Sequence, residues 1–501
     1  MIRGLVANLD QEGLLVAANC HDLEVCAISF NSRTVIPGGL FVCKGEGFRV
    51  EYLMEAMGRG AVAYVSEKDY KISGIDSIIV NDIRKAMVVL ANSFYGNPSS
   101  KIKIIGITGT KGKTSTTYFT KAIIDDYAVA IGAKPAGITS GIVNYDGINT
   151  DDADLTTPEI FDIYRYLSNA ARCGIDFFVL ETSSQALKYD RVSGVEYEVG
   201  AFTNIGRDHI SPVEHPTVED YLQSKLRIFS QSRSAVYNMD CEYQDEIRAA
   251  ARQLERCIGY SRRDSSANVY AYNIESKLGR ISFDVAVSGC DYGDTSFRVE
   301  LGPFGLINVE NALAAISIAV MLGIPAEYIK SGLKRVEVPG RMQLITSSDG
   351  KLRGIVDYAH NKLSFEKIFE TAAEEFPGYK TIVVYGASGG KALNRRRDLG
   401  SVTGRCADLS IITEDDFGTE PVEYICNEVA SYVEAAGGAY EVLYDRYDAV
   451  ARAVEVAREW MTEGEQCLIL VLGKGVEVYC KRGTERVRVK SDVELLKENM
   501  G

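Results

Sequence analysis

The stretch Lys101-Ile-Lys-Ile-Ile-Gly-Ile-Thr-Gly-Thr-Lys-Gly-Lys-Thr-Ser-Thr116 decides how this chain is read. A short apolar strand, Ile102 to Ile107, runs into Gly109, Gly112, Lys113 and Thr114, and a helix is expected from about Ser115. Glycines in such a turn let backbone N–H groups face a phosphate. The helix N-terminus adds its dipole, a lysine adds a full charge, and a threonine hydroxyl can hold Mg²⁺. That order suits a nucleoside triphosphate. The spacing is not the commonest one: five residues separate Gly106 from Gly112, and two separate Gly109 from Gly112. The form Gly-Thr-x-Gly-Lys-Thr is narrower than a generic phosphate loop. The alternative is a glycine-rich turn that binds nothing.

Outside this stretch, bulk properties narrow the choices. A chain of 501 residues implies about two to four domains. The formal net charge of −14 argues against general nucleic-acid binding, since nothing would neutralise a phosphate backbone. The opening Met-Ile-Arg-Gly-Leu-Val-Ala-Asn-Leu-Asp does not read as a signal peptide, and the apolar run Ala312 to Ile324 is too short to cross a bilayer. Eleven cysteines lie scattered without a Cys-x-x-Cys pair. They read as reduced, mostly buried thiols rather than a zinc site. The expectation is a cytoplasmic protein, monomeric, with no nucleic-acid or membrane partner.

Residues 1–97 read as a small α/β domain that ends in the turn-rich Gly96-Asn-Pro-Ser-Ser-Lys101. Residues 98–337 alternate strands and helices. Within them Thr157 is expected to cap a helix with Pro158 at its first position. Ile160, Ile163, Tyr164, Leu167, Ala170 and Ala171 share one face of that helix. Ile175 to Glu181 and Val199 to Asn204 follow as strands. A second joint lies near Val338-Pro-Gly340. Residues 338–501 then give strands at Gly354–Asp357, Thr381–Tyr385, Leu409–Thr413 and Leu468–Leu472. Both large segments read as parallel-sheet α/β domains, with their unusual residues just past the strand ends where such sheets bind ligands.

Glu181 stands at a strand tip, placed to hold Mg²⁺ near a phosphate loop. Asp208-His209 follows the next strand, and only four histidines occur in the chain. Alone, His209 would more often be a satisfied structural histidine, and beside Glu181 and the phosphate loop a metal or phosphate role is favoured. On Tyr221-Leu-Gln-Ser-Lys225-Leu-Arg-Ile-Phe229, an amphipathic pattern puts Lys225 on the inward face. A buried lysine is costly unless paired or modified, and the bland alternative is a snorkelling side chain.

Together these motifs resemble the Mur ligases, the ATP-dependent amide-forming enzymes of peptidoglycan precursor synthesis. Gly109-Thr-Lys-Gly-Lys-Thr114, Glu181 to Leu187, Thr203-Asn204 with Asp208-His209, and Lys225 occur in that family's order. Asn308-Val-Glu-Asn311 resembles its adenine-side asparagines, Gly340-Arg-Met342 its linker, and Asp357-Tyr-Ala-His360 its nucleotide-binding strand end. The resemblance covers essentially the whole chain. It implies an α/β fold of three domains, with a central ATPase-like parallel sheet around the P-loop and a C-terminal Rossmann-like sheet. Within the family, Ser29 to Lys44, Thr156-Thr-Pro158 and Gly473-Lys-Gly475 with Glu477 resemble the MurE type, which adds the third residue of the stem peptide.

The resemblance assigns roles. Gly109, Thr110, Lys111, Gly112, Lys113, Thr114 and Ser115 would bind ATP phosphates. Asn308, Asn311, Arg341, Asp357 and His360 would hold the rest of the nucleotide, and domain closure would complete the site. Thr114, Glu181, His209 and a carbamylated Lys225 would hold Mg²⁺, with Lys113, Lys225, His209 and Glu181 as the catalytic set. Ser29, Ser32, Arg33, Lys44, Thr156, Thr157, Ser183 and Arg191 would bind UDP-N-acetylmuramoyl-L-Ala-D-Glu. Lys391, Asn394, Asp415, Asp416 and Glu477 would bind a free diamino acid.

Departures from the pattern bear on the acceptor. Lys111, Gln185, Gln343, Lys362 and Val476 replace commoner family residues but leave the catalytic set untouched. Relatives that take meso-diaminopimelate carry Asp-Asn-Pro-Arg, whose arginine can fork onto the distal carboxylate. Here the stretch is Asp415-Asp416-Phe417-Gly418. With Glu414 and Glu420 the segment is acidic, which suits a side-chain ammonium. L-Lysine is therefore the expected acceptor, ahead of ornithine and meso-diaminopimelate. An acidic surface loop is the plain alternative. A folylpolyglutamate-type ligase is disfavoured by the N-terminal segment. The zinc-ribbon amidating branch is disfavoured by the missing cysteine pairs. A regulator that binds nucleotide without catalysis is disfavoured by the retained catalytic set.

Overall fold

Alternation inside short apolar runs sets the architecture. Along Cys467–Leu472, residues 468, 470 and 472 enter one hydrophobic cluster while 467, 469 and 471 enter another. A strand buried on both faces belongs to a parallel sheet covered by helices on each side. Burying each such leucine contributes roughly 1.5–3 kcal/mol. The computed structural model describes residues 2–45, 47–206, 210–211, 214–277 and 279–501. The chain divides into two compact units. One holds Met1–Val269, Gly289–Tyr292 and Ala314–Tyr328; the other holds Tyr270–Ser288, Gly293–Leu313 and Ile329–Gly501.

In the first unit a five-stranded sheet comes first, in the order Leu15–Asn19, Asp76–Val80, Ala61–Ser66, Gly39–Val42, Ala27–Ser29. The helix Ile83–Tyr95 follows it. Asp82 caps this helix by accepting from the Arg84 and Lys85 N–H groups, and left-handed Gly96 ends it. The chain then enters a second sheet. Its parallel strands run Arg256–Ser261, Ser232–Asn238, Tyr197–Phe202, Lys103–Thr108, Phe177–Glu181 and Gly137–Thr139. Lys103–Thr108 is interior, so its C-terminal end lies beside those of both neighbours. Thr108 pairs with Phe202, and Ile107 with Glu181. That register brings together the loops that carry the site.

Two local expectations change. The helix after the phosphate loop is Lys113–Ile131, starting two residues earlier than expected, so Lys113 and Thr114 belong to its first turn. The helix Ile160–Arg172 is preceded by Glu159, which makes no side-chain cap bond, and Thr157 does not cap it. Instead the Thr157 hydroxyl donates to the Glu181 carbonyl at 2.9 Å and accepts the Ser183 N–H at 2.9 Å. A buried tie between two loops took the group that local pattern gave to the helix.

In the second unit a six-stranded sheet runs Gln343–Thr346, Arg353–Asp357, Cys467–Leu472, Lys380–Tyr385, Leu409–Ile412, Tyr440–Val442. The first pair is antiparallel and the rest are parallel. Helices Lys362–Glu375, Asn394–Cys406 and Val422–Ala435 cover one face, and Arg446–Thr462 and Asp492–Met500 the other. A small hairpin, Tyr479–Arg482 with Glu485–Arg488, follows the last parallel strand. Among the described residues no helix is long and apolar enough to cross a membrane. Burial pushes the thiols of Cys20, Cys467 and Cys480 up to about 11 and those of Cys43 and Cys426 to about 12, whereas Cys26 and Cys406 are exposed.

Candidate functional site

The phosphate loop is shaped by its neighbours as much as by its glycines. Gly109 has φ +154°, and a side chain there would collide with Thr203 Oγ1. Gly112 is left-handed at φ 79° and opens the helix. Thr203 and Asn204 clamp the loop from the next strand end. Thr203 Oγ1 donates to the Lys111 carbonyl at 2.9 Å, and Asn204 Nδ2 donates to the same oxygen at 3.0 Å. Asn204 Oδ1 accepts the Lys111 N–H at 2.8 Å, and the Gly206 N–H donates to Thr110 Oγ1 at 3.0 Å. Lys113 Nζ folds back onto the Gly109 and Thr110 carbonyls at 3.0 and 3.2 Å. A cation held over an anion-binding loop is poised for a phosphate. Thr114 and Ser115 are buried in the same turn.

Glu181 is buried, and its carboxylate accepts from Thr114 Oγ1 at 3.0 and 3.1 Å and from the Gly141 N–H at 2.9 Å. A Cβ placed on Gly141 would lie within 4 Å of Thr114 Oγ1, Glu181 Oε2 and Thr156 Oγ1, so these oxygens share one corner. Such an oxygen-only set fits a hard divalent cation such as Mg²⁺. Among the described residues no group of three or more His, Cys, Asp or Glu side chains is arranged to hold a metal. The expected third donor, His209, lies outside the described residues.

Lys225 is buried on the helix Val218–Leu226 and donates to the Gly109 carbonyl at 2.7 Å. The lysine read as inward-facing thus reaches the phosphate loop itself. Its Nζ also sits 4.5 Å from the centre of the Tyr221 ring. Against that ring packs His215, fully buried, with centroids 4.9 Å apart. Sequence reasoning passed over His215 because Asp208-His209 held attention. The usable signal was Asp220, five residues on, in the first turn of the helix.

The substrate-side candidates fall into two places. Arg191 donates to the Thr157 carbonyl at 2.9 Å and approaches Glu159, which pairs with Lys44 at 2.7 Å. Thr156, Thr157, Ser183, Arg191 and Lys44 therefore continue outward from Glu181. Ser29, Ser32 and Arg33 cluster at a separate turn, where Ser29 Oγ meets Thr34 Oγ1 at 2.9 Å, Ser32 donates to Glu55 at 2.7 Å and Arg33 is exposed.

In the second unit, Asp357 accepts the Met342 and Ala359 N–H groups at 2.7 Å each. Arg341 stacks over Tyr358 at 4.5 Å, and His360 Nδ1 lies 2.9 Å from the Tyr358 carbonyl. Gln343 Oε1 accepts the Gly340 N–H, a task either Gln or Glu performs, so that departure costs nothing here. Asn308 donates to the Phe304 carbonyl and accepts from Asn311.

The acidic run Glu414–Glu420 is not a set of bare charges. Arg482 forks onto Glu414 at 2.5 and 3.1 Å, and the buried Arg396 binds Glu420 at 2.6 and 2.8 Å. What remains is Asp415, Asp416 and Glu477 around the buried Lys474, at 3.9, 3.1 and 3.0 Å. Burial alone would lower the Lys474 pKa, but these carboxylates hold it well above the usual lysine range. Burial likewise pushes Asp416 up, and Lys474 more than reverses it. Tyr358 donates to Glu477 at 2.8 Å. Lys391 and Asn394 are exposed, and Asn394 contacts Asp398. The glycine-rich turn Gly386 to Gly390 serves this loop: the Gly389 N–H donates to the Asp416 carbonyl, and a side chain on Gly389 would strike the Phe417 backbone.

Comparison with known proteins gives the family. Residues 107–319 match the Mur ligase middle domain, and residues 340–475 match the Mur ligase, glutamate ligase domain. The UDP-N-acetylmuramoyl-L-alanyl-D-glutamate–L-lysine ligase of Enterococcus faecalis is 37% identical, covering 91% of this chain and 88% of its own. The UDP-N-acetylmuramyl-tripeptide synthetase of Bifidobacterium longum is 35% identical, covering 96% and 93%. Among solved structures, a UDP-N-acetylmuramoyl-L-alanyl-D-glutamate–2,6-diaminopimelate ligase aligns with TM-score 0.66 at 23% identity, covering 98% of each chain. A MurF ligase from Thermotoga maritima in complex with ADP aligns with TM-score 0.60 at 17% identity, covering 96% and 99%.

Proposed function

This chain belongs to the Mur ligase family, and from that premise we propose that it joins L-lysine to UDP-N-acetylmuramoyl-L-Ala-D-Glu using ATP. It is an amide-forming ligase of peptidoglycan precursor synthesis. The observation that supports the reading most is the meeting of Lys113, Thr114, Glu181 and Lys225 at one phosphate loop. The lysine-adding relatives support the acceptor.

In this reading the D-Glu γ-carboxylate attacks the ATP γ-phosphate, forming an acyl phosphate and releasing ADP. The lysine α-amine then attacks the acyl carbon, losing a proton as phosphate departs. Little proton chemistry falls to side chains, so orientation and charge neutralisation carry the rate. The loop residues Gly109 to Ser115 cradle the phosphates, and Lys113 offsets charge on the transferring group. Thr114 and Glu181, with His209 and a carbamylated Lys225, would hold Mg²⁺, which supplies further neutralisation of phosphate charge. Asn308, Asn311, Arg341, Asp357 and His360 are assigned to the nucleotide.

Residues 1–97, with Ser29, Ser32, Arg33 and Lys44, are assigned to the uridine diphosphate end. Thr156, Thr157, Ser183 and Arg191, in segment 98–337, are assigned to the muramoyl dipeptide. Segment 338–501 takes the amino acid through Asp415, Asp416 and Glu477, flanked by Lys391 and Asn394. Three carboxylates around one internal ammonium leave negative charge in excess. That excess favours the lysine ammonium and disfavours the distal carboxylate of meso-diaminopimelate.

The test is ADP and tripeptide formation from ATP and the UDP-dipeptide with L-lysine, L-ornithine or meso-diaminopimelate. Product with lysine well above the others is expected. Turnover only with meso-diaminopimelate would discard the acceptor argument, and no product with any acceptor would discard the ligase reading.

A further inference from the structure

An Asp–His–Ser chain runs from the part-exposed Asp220 through the buried His215 to the buried Ser184, and none of the roles above uses it. His215 Nδ1 lies 2.7 Å from Asp220 Oδ2, and His215 Nε2 lies 3.0 Å from Ser184 Oγ. Lys188 Nζ also donates to Asp220 Oδ2 at 2.7 Å, and that bond is the main reason the Asp220 carboxyl sits below its usual range. An ionised Asp220 can only accept, so Nδ1 carries the imidazole proton. Full burial disfavours the imidazolium, leaving a lone pair on Nε2. The Ser184 hydroxyl must then donate to Nε2. Its oxygen is left with acceptor capacity only, three residues beyond Glu181.

The same ring does a second thing. One face of Tyr221 receives Lys225 Nζ at 4.5 Å, and the imidazole packs against Tyr221 with centroids 4.9 Å apart at 59°. The segment carrying His215 is itself pinned: Gln185 donates to Glu214 at 2.8 Å, and Lys188 donates to the Glu214 carbonyl at 3.0 Å. This is a brace between the turn that carries Ser183 and Ser184 and the helix that carries Lys225.

We propose that His215 is a positioning residue for the ligase reaction, fixing the Ser184 hydroxyl as an acceptor toward a substrate N–H and seating Tyr221 under Lys225. Asp220 sets the tautomer that makes this possible. The inference rests on the ligase reading, so the wild-type reaction with lysine is run beside every variant. An inactive wild type condemns that reading alone.

The experiment compares His215→Phe, which keeps a ring against Tyr221, with His215→Gln, which restores an acceptor for Ser184. Thermal unfolding of each variant is recorded. His215→Phe should lower kcat by about 10²-fold, the scale of losing a preorganised polar group, with KM for ATP unchanged within about twofold. His215→Gln should recover at least about tenfold of that loss. Combining Ser184→Ala with His215→Phe should cost no more than the worse single change, because both break one chain. Losses that multiply, a silent His215→Phe, or a Gln variant no better than Phe would overturn the proposal. Imidazole ¹⁵N spectra of the wild type, assigned through the variants, give a reading independent of activity and of variant folding. Nδ1–H with a bare Nε2 is expected, and an Nε2–H tautomer or an imidazolium at neutral pH would overturn it.

Discussion

Lys225 and Lys474 are both buried lysines beyond the ends of parallel strands, one in each unit, and their surroundings differ in kind. Lys474 is enclosed by Asp415, Asp416 and Glu477, which hold its ammonium charged despite burial. Lys225 donates to the Gly109 carbonyl at 2.7 Å and lies over the face of Tyr221. The first lysine is stabilised by opposite charge supplied by the fold. The second reaches the phosphate loop itself. The first lysine ties three carboxylates together, and the second is set against the loop assigned to the nucleotide phosphates.

The contrast can be broken by substitution. Lys225→Ala should lower ligase turnover by at least about 10³-fold, with partial rescue by short carboxylic acids that replace a carbamate. Full activity in that variant would remove Lys225 from the reaction. Lys474→Met should leave the carboxylates uncompensated and destabilise the fold by about 3 kcal/mol, read by urea unfolding. An unchanged midpoint would show that the internal ion pairs are idle. Arg482→Ala strips the fork from the nearly buried Glu414 and should cost less, about 1–2 kcal/mol, because Arg482 is itself part-exposed.

Glu375 sharpens the comparison with a third outcome for a buried charge, namely to lose it. It receives the Ser276 hydroxyl and the Gly279 N–H, and burial raises its carboxyl pKa above 4.5. The folded chain then keeps a proton that the unfolded chain releases. Stability should fall as pH rises from about 4.5 through the raised folded value. Glu375→Gln should flatten that limb of the stability–pH curve, and an unaltered curve would assign the dependence elsewhere.

Much of the site was legible because its residues follow strand ends in short sequence windows. Gly109 to Thr114, Glu181 and Lys225 could be read from strand, loop and helix periodicity, and register then brought them together. What stayed hidden depends on partners far apart in the chain. Glu414 looked like free negative charge because Arg482 is 68 residues away. Thr157 looked like a helix cap because nothing local reveals the Glu181 carbonyl, 24 residues on. His215 and Ser184, 31 residues apart, carried no shared pattern until the fold placed them in contact.

The uneven protection of the thiols has a practical use. Five cysteines are held largely as unreactive thiols by burial, while Cys26 and Cys406 stand exposed, one in each unit. Maleimide chemistry follows exposure and thiolate fraction. With the part-buried Cys173, Cys241, Cys257 and Cys290 replaced by serine, the chain offers two attachment points for a donor–acceptor dye pair. Fluorescence transfer between them would track any change in their separation as nucleotide, dipeptide and lysine are added in turn.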